Sequence, residues 1–203
     1  ASPADLVAPK AVNELPEHWR FERIEIPMNI EVGAVELADL DEDGLRDLIV
    51  AGRPDSVQVF RQTSPGEFER IRRHRIRNLM PTRDGLLLAD VLGTDGPPEV
   101  VGLVNGQVRI WPIDANGKLG TVRELTAGEE KVIAVLPGDF DGDGLTDLAG
   151  IVPDSESPVR LWLASRSDGE KTFGPQLRFE MPSVVEAMVV PGDSGGDRLA
   201  IIE

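Results

Sequence analysis

Two nine-residue stretches carry carboxylates at a spacing that suits cation binding. The first is Asp39-Leu40-Asp41-Glu42-Asp43-Gly44-Leu45-Arg46-Asp47, and the second is Asp139-Phe140-Asp141-Gly142-Asp143-Gly144-Leu145-Thr146-Asp147. Both follow D-x-D-x-D-G-x-x-D. Carboxylates at alternating positions converge when the backbone curls, and Gly44 and Gly144 permit the sharp turn this needs. The main-chain carbonyls of Leu45 and Leu145 can then add another oxygen. Such a cage suits a hard cation that takes about 6–8 oxygens at about 2.3–2.6 Å. Ca²⁺ fits better than Mg²⁺, which holds its waters more tightly, and no His or Cys stands nearby for zinc. A solvated acidic turn is the plainer alternative. One such loop could be accidental, but two at the same phase of a repeat are not readily so.

The surroundings separate these loops from EF-hands, which need Glu at the twelfth position and a helix on either side. Here the twelfth positions hold Val50 and Gly150, and residues 48–51 and 148–151 read as strands. Each loop is therefore expected to join two strands. Two further stretches are degenerate. Asp90-Val91-Leu92-Gly93-Thr94-Asp95-Gly96-Pro97-Pro98-Glu99 keeps the first Asp, has Leu at the third place and carries one extra residue. Asp193-Ser194-Gly195-Gly196-Asp197-Arg198 is shortened and puts Arg198 near the expected last ligand. Neither is expected to bind metal strongly.

The loops belong to an internal repeat. Val57-Gln58-Val59-Phe60, Val108-Arg109-Ile110-Trp111 and Val159-Arg160-Leu161-Trp162 place an aromatic residue at intervals of 51. Asp39, Asp90 and Asp139 precede them in step, Asp193 follows, and Phe21-Glu22-Arg23-Ile24 returns as Phe68-Glu69-Arg70-Ile71. A period near 50 residues marks a repeat architecture. Each period reads as four short strands, about 132–136, 148–152, 159–164 and 175–181 in the third unit. Asn105-Gly106 between 99–104 and 107–113 is a hairpin signal, because both residues tolerate positive φ. Asn116-Gly117, Ser64-Pro65-Gly66 and Ser167-Asp168-Gly169 mark the next turn of each unit. Helical periodicity is weak, and only residues 11–19 could form a short helix.

Four-stranded antiparallel units at this period predict an all-β protein, a partial β-propeller of about three full blades plus parts of another. A β-sandwich is the rival, though sandwiches seldom keep so regular a period. The expected division is an N-terminal extension over 1–20 and blades over 21–203, near 30–80, 81–128, 129–182 and 183–203. A lone outer strand is expected at about 21–27, able to complete the last blade. Too few blades are present to close a ring, so the chain reads as the N-terminal part of a longer propeller. A ring completed by a second copy is the other option.

The two Asp loops, the Asp-Leu-(Ile/Ala) strands that follow them and Phe173-Gly174-Pro175 resemble the FG-GAP or VCBS repeat family over roughly residues 30–203. Members, including the head of integrin α-subunits, form propellers of about seven blades with Ca²⁺ between the first two strands. The resemblance implies that Asp39, Asp41, Asp43, Leu45 and Asp47 bind one Ca²⁺, and Asp139, Asp141, Asp143, Leu145 and Asp147 a second.

Composition narrows the function. The 203 residues carry 36 acidic against 21 basic side chains, a net charge of -15, with no cysteine and no tyrosine. That balance disfavours nucleic acid, whose phosphates call for a basic surface. No run approaches the roughly 18 apolar residues that suggest a membrane span. Disulfides are not the staple. Residues 1–9 read like a mature N-terminus after a removed signal peptide, although an engineered boundary would look the same.

Arg70, Arg72, Arg73, His74, Arg75 and Arg77 form a basic run, expected on an outermost strand, where charge deters edge pairing; docking of an acidic partner or polysaccharide is the alternative. Phe60, Trp111 and Trp162, one per unit, are expected to pack between blades rather than to bind sugar. Trp19 is placed to plug or cover an edge. His18 and His74 are the only histidines, neither in a catalytic motif, and there is no P-loop, G-x-G-x-x-G after a strand or H-E-x-x-H. The reading is a non-catalytic, calcium-stabilised interaction module for a protein or glycan ligand, exported to the cell surface, periplasm or extracellular space. The alternatives are part of a propeller enzyme, a lyase or dehydrogenase with its active site elsewhere, and an architectural subunit of a larger assembly.

Overall fold

The computed structural model describes residues 23–93, 96–167, 170–192 and 195–203. The expected helix over 11–19, together with His18, Trp19, Phe21, Asp95, Asp168 and Asp193, lies outside them. All regular structure among the described residues is β, arranged as successive antiparallel sheets.

In the first sheet β1 (Glu31–Ala38), β2 (Asp47–Arg53), β3 (Ser56–Ser64) and β4 (Glu67–Arg75) lie side by side in chain order. The second repeats this with β5 (Leu86–Ala89), β6 (Glu99–Val104), β7 (Gln107–Trp111) and β8 (Arg123–Leu125). The third begins with β9 (Ala134–Gly138), β10 (Asp147–Ile151) and β11 (Val159–Trp162). A separate hairpin of β12 (Ala164–Ser167) and β13 (Glu170–Phe173) then intervenes before β14 (Leu177–Phe179) returns to pair with β11. Last come β15 (Glu186–Pro191) and β16 (Asp197–Ile202), paired with each other.

The burial follows from stacking. Strands β6 and β10 are buried along their whole length, and β2 along all but its last residue, so they read as continuous apolar runs rather than as alternation. One face of the first sheet meets the second through Ile49, Val57, Val59, Leu86, Val100 and Trp111. The second meets the third through Val101, Val108, Ile110, Val135, Leu148 and Trp162. Ile151 and Val159 then pack towards Ala187, Leu199 and Ile201 of the last pair. Each of Trp111 and Trp162 thus faces the preceding sheet. Its ring lies over a cross-strand glycine, where an added Cβ would come within 3.1 Å of Trp111 at Gly102 and 2.9 Å of Trp162 at Gly150. In the first sheet the smaller Phe60 leaves room for Val50 at the matching position.

Two expectations need correction. Residues 23–28 form no strand. Ile26, Met28 and Ile30 instead lie against Leu48, Val50 and Phe60 on the open face of the first sheet. Alternate apolar side chains cover a face well, whereas Pro27 removes a donor that edge pairing needs. The third unit's last two strands are also not one plain hairpin, because β12 and β13 diverge from the sheet after Trp162.

The basic run up to Arg75 lies on β4, the edge strand of its sheet, and Arg77 follows it. Arg70 and Arg73 turn inward to Gln58 and Ser56. Arg72 and His74 hold the carbonyls of Asn116 and Gly117 in the β7–β8 connection, at 3.3 and 2.7 Å. First strands also neighbour first strands, β1 against β5 and β9 against β15. A hollow of about 440 Å³ between them is lined by Glu36, Arg83, Asp84, Val135 and Glu186, among others.

Candidate metal centres

Both motif loops connect the first and second strands of a sheet, β1 to β2 and β9 to β10. The leading aspartate organises each. Asp39 accepts hydrogen bonds from the N–H groups of Asp43 and Gly44, at 3.2 and 2.9 Å. Asp139 accepts from Gly142, Asp143 and Gly144, at 2.8, 3.1 and 3.0 Å. Gly44 and Gly144 have φ of 87° and 82°, the left-handed turn that brings the later carboxylates back over the first. Asp43 and Asp143 each accept the N–H of the leucine two residues on, at 2.7 and 2.8 Å.

The carboxylates converge. One oxygen from each of Asp39, Asp41 and Asp43 lies within 4.8 Å of the others, as do oxygens of Asp139, Asp141 and Asp147. Asp47 is not in the first trio and Asp143 is not in the second. Leu45 and Leu145 sit half-buried directly after the turn glycines. Every donor is a carboxylate oxygen, and Asp41 Oδ1 is buried without a hydrogen-bond partner. That donor set fits a hard cation and not a thiophilic one.

The closing aspartates have a second job. Asp47 is buried, with Oδ1 accepting the Gln62 N–H at 2.8 Å and Oδ2 the Leu40 N–H at 3.3 Å. Asp147 accepts from Ala164 at 2.7 Å and Phe140 at 2.8 Å. Asp47 thereby fastens its loop to β3, and Asp147 fastens its loop to the start of β12. Burial pushes the Asp47 carboxyl above the ordinary aspartate range, and Asp41 adds to this; the Gln62 and Leu40 N–H groups and Arg61 act against it. Burial likewise raises Asp147, opposed by the Ala164 and Phe140 N–H groups, with Asp141 and Asp143 pushing further up.

Two further acids that open second strands escaped the sequence reading. Glu99 pairs with Ala89 as Asp147 pairs with Gly138, and its Oε2 accepts the N–H groups of Val91 and Leu92, at 2.8 and 3.0 Å. In the last unit the acid that opens the second strand is Asp197, paired with Pro191. Asp197 reaches outward to accept the Asp139 N–H at 2.9 Å, bracing the second motif loop. An acid opening each second strand was the available signal, hidden in Glu99 by the longer side chain and the extra loop residue.

Protein cations also enter the loops. Arg61 Nε lies 2.9 Å from Asp41 Oδ2. Lys171 Nζ donates to the Asp90 carbonyl at 2.8 Å and lies 4.0 Å from its Oδ1. Comparison with protein-family models and with curated proteins finds no match to this chain.

Proposed function

We propose that this chain is a calcium-stabilised segment of a β-propeller of the FG-GAP or VCBS kind, serving as a non-catalytic interaction module outside the cytoplasm. The observation that carries the reading is the pair of loops at one position in the first and third sheets, each converging three carboxylates on a common point. The propeller reading draws support from sheets that stack face to face in chain order and from first strands that line one hollow. Asp39, Asp41 and Asp43 would hold one ion, with Leu45 and Asp47 completing that loop. Asp139, Asp141 and Asp147 would hold the other, with Asp143 and Leu145.

A bound Ca²⁺ would neutralise carboxylates that otherwise repel one another, and fix the connection between first and second strands. The chain's own groups do the rest. Asp39 and Asp139 shape the turn, and Asp47 and Asp147 anchor it. Millimolar calcium is an extracellular condition, which suits open, turn-based sites and favours a periplasmic or cell-surface setting. The ligand would be a protein or glycan docking on the face that carries the loops.

Thermal unfolding with and without chelator tests the structural role. A ligand binding only the folded state adds about 2.7 kcal/mol at a hundredfold excess over Kd. For a domain of this size that corresponds to a rise of roughly 5–10 °C in Tm. Chelator should remove the rise and millimolar Ca²⁺ should restore it. A Tm indifferent to both would reject the reading.

A further inference from the structure

We propose that Arg61 is a built-in counter-cation for the first aspartate loop, holding its calcium affinity below that of the second. This deepens the calcium reading and rests on it.

The guanidinium already stands where added positive charge is wanted. Arg61 Nε is 2.9 Å from Asp41 Oδ2, and the two side chains are only 28% and 21% exposed. The contact is close but unsaturated. Nε makes no aligned hydrogen bond, and Asp41 Oδ1 has no partner at all. Nη2 meanwhile donates to the Ala115 carbonyl in the turn between β7 and β8 of the second unit. A divalent ion entering the first loop must draw Asp41 away from a guanidinium that also bridges two units. That separation subtracts from binding, because a partly buried ion pair is screened less than an exposed one.

The second loop is built differently at the matching place. Gln62 N–H meets Asp47 at 2.8 Å and Ala164 N–H meets Asp147 at 2.7 Å, so these two donors correspond. The residue before each is Arg61 in the first sheet and Leu163 in the third. Asp141 is exposed, whereas Asp41 is half-buried beside its arginine. The degenerate loop at Asp90 supplies an internal precedent. With Leu92 in place of a carboxylate, it takes the ammonium of Lys171, a side chain only 4% exposed. A side-chain cation beside this loop of the repeat is thus compatible with the fold.

Isothermal titration of the whole chain with CaCl₂ tests this, using wild type, Arg61→Gln and Leu163→Arg, with Asp139→Asn to assign the sites. Wild type should show two unequal sites, the tighter one lost in Asp139→Asn. Arg61→Gln should tighten the weaker site about tenfold, or about 1.4 kcal/mol, and leave the tighter one unchanged. Leu163→Arg should weaken the tighter site; it decides the matter if Arg61→Gln fails to fold, as judged by circular dichroism without calcium. Two equal sites in wild type, or a weaker site indifferent to Arg61→Gln, would overturn the role of Arg61 while leaving calcium binding intact. No binding by titration or equilibrium dialysis would reject the calcium reading itself, and this inference with it.

Discussion

The loops at 39–47 and 139–147 share a motif and a place in the sheet, yet their surroundings differ. The first faces Arg61, which links Asp41 to the neighbouring unit. The second is braced from the next unit, where Asp197 accepts the Asp139 N–H and Gly196 approaches Gly142. The first trio uses Asp43 and leaves Asp47 to its tether, while the second uses Asp147 itself. One motif can therefore be supported by charge or by packing, and the supporting residues lie outside it.

The largest expected effect separates tether from ligand. Asp147→Ala leaves the Phe140 N–H of the loop and the Ala164 N–H of β12 without their acceptor in a buried site, at about 1–3 kcal/mol each. Asp47→Ala and Glu99→Ala should cost similar amounts, because each removes the acceptor of two main-chain N–H groups, one in the loop and one on β3 for Asp47 and both in the loop for Glu99. Chemical denaturation in the presence of chelator reads this without any contribution from metal. If Asp147→Ala proved neutral in chelator and severe only with calcium present, the closing acid would act through calcium rather than as an anchor.

A second contrast lies beneath the loops. The position of Gln58 in the first sheet is held by Arg160 in the third, each two residues before its aromatic. Gln58 is neutral and shares hydrogen bonds with Asn29 and Arg70. Arg160 is fully buried and relies on Glu130 and Ser155, with Nε and Nη1 unpartnered. Glu130→Ala should cost about 2 kcal/mol, below the usual range for a broken buried pair because Glu130 is 35% exposed. The Ser155 hydroxyl and the Arg160 guanidinium hold the Glu130 carboxyl below the ordinary glutamate range. A lowered carboxyl stabilises the fold fully above its unfolded-state value and loses that contribution as pH falls through the folded-state value. Acid unfolding below about pH 4 should therefore be less steep in Glu130→Gln than in wild type. Parallel profiles would break the link between this pair and acid sensitivity.

Much of this was legible because it is local. Turn dipeptides such as Asn105-Gly106, which takes φ of 54° and 77°, and the repeated V-x-(V/I/L)-(F/W) strands need only neighbouring residues to declare themselves. The aspartate trios are equally local, since spacing and one glycine bring them together. What escaped depends on register and tertiary contact. Arg61 meets Asp41 only because β2 and β3 fold back beside the loop. Lys171 reaches Asp90 from another unit. Asp197 meets the Asp139 N–H from the following unit. Pattern reading also treated 21–27 as a pairing strand, because alternating apolar residues look alike whether they pair at an edge or lie across a face.

The smallest effect gives the sharpest contrast, because the same substitution should change sign between the loops. Without calcium, Asp141 is an exposed carboxylate whose charge pushes Asp147 up. Asp141→Asn relieves that repulsion and should stabilise the metal-free protein slightly, by about 0.5 kcal/mol or less, as exposed charges do. Asp41 also repels Asp47, but it holds Arg61 against the loop. Asp41→Asn strips the guanidinium of its partner and should destabilise by about 0.5–1 kcal/mol. Denaturant midpoints in chelator, with unchanged slopes, would resolve opposite shifts. Shifts of one sign would mean that the net charge of each loop, rather than the placement of Arg61, governs its metal-free state.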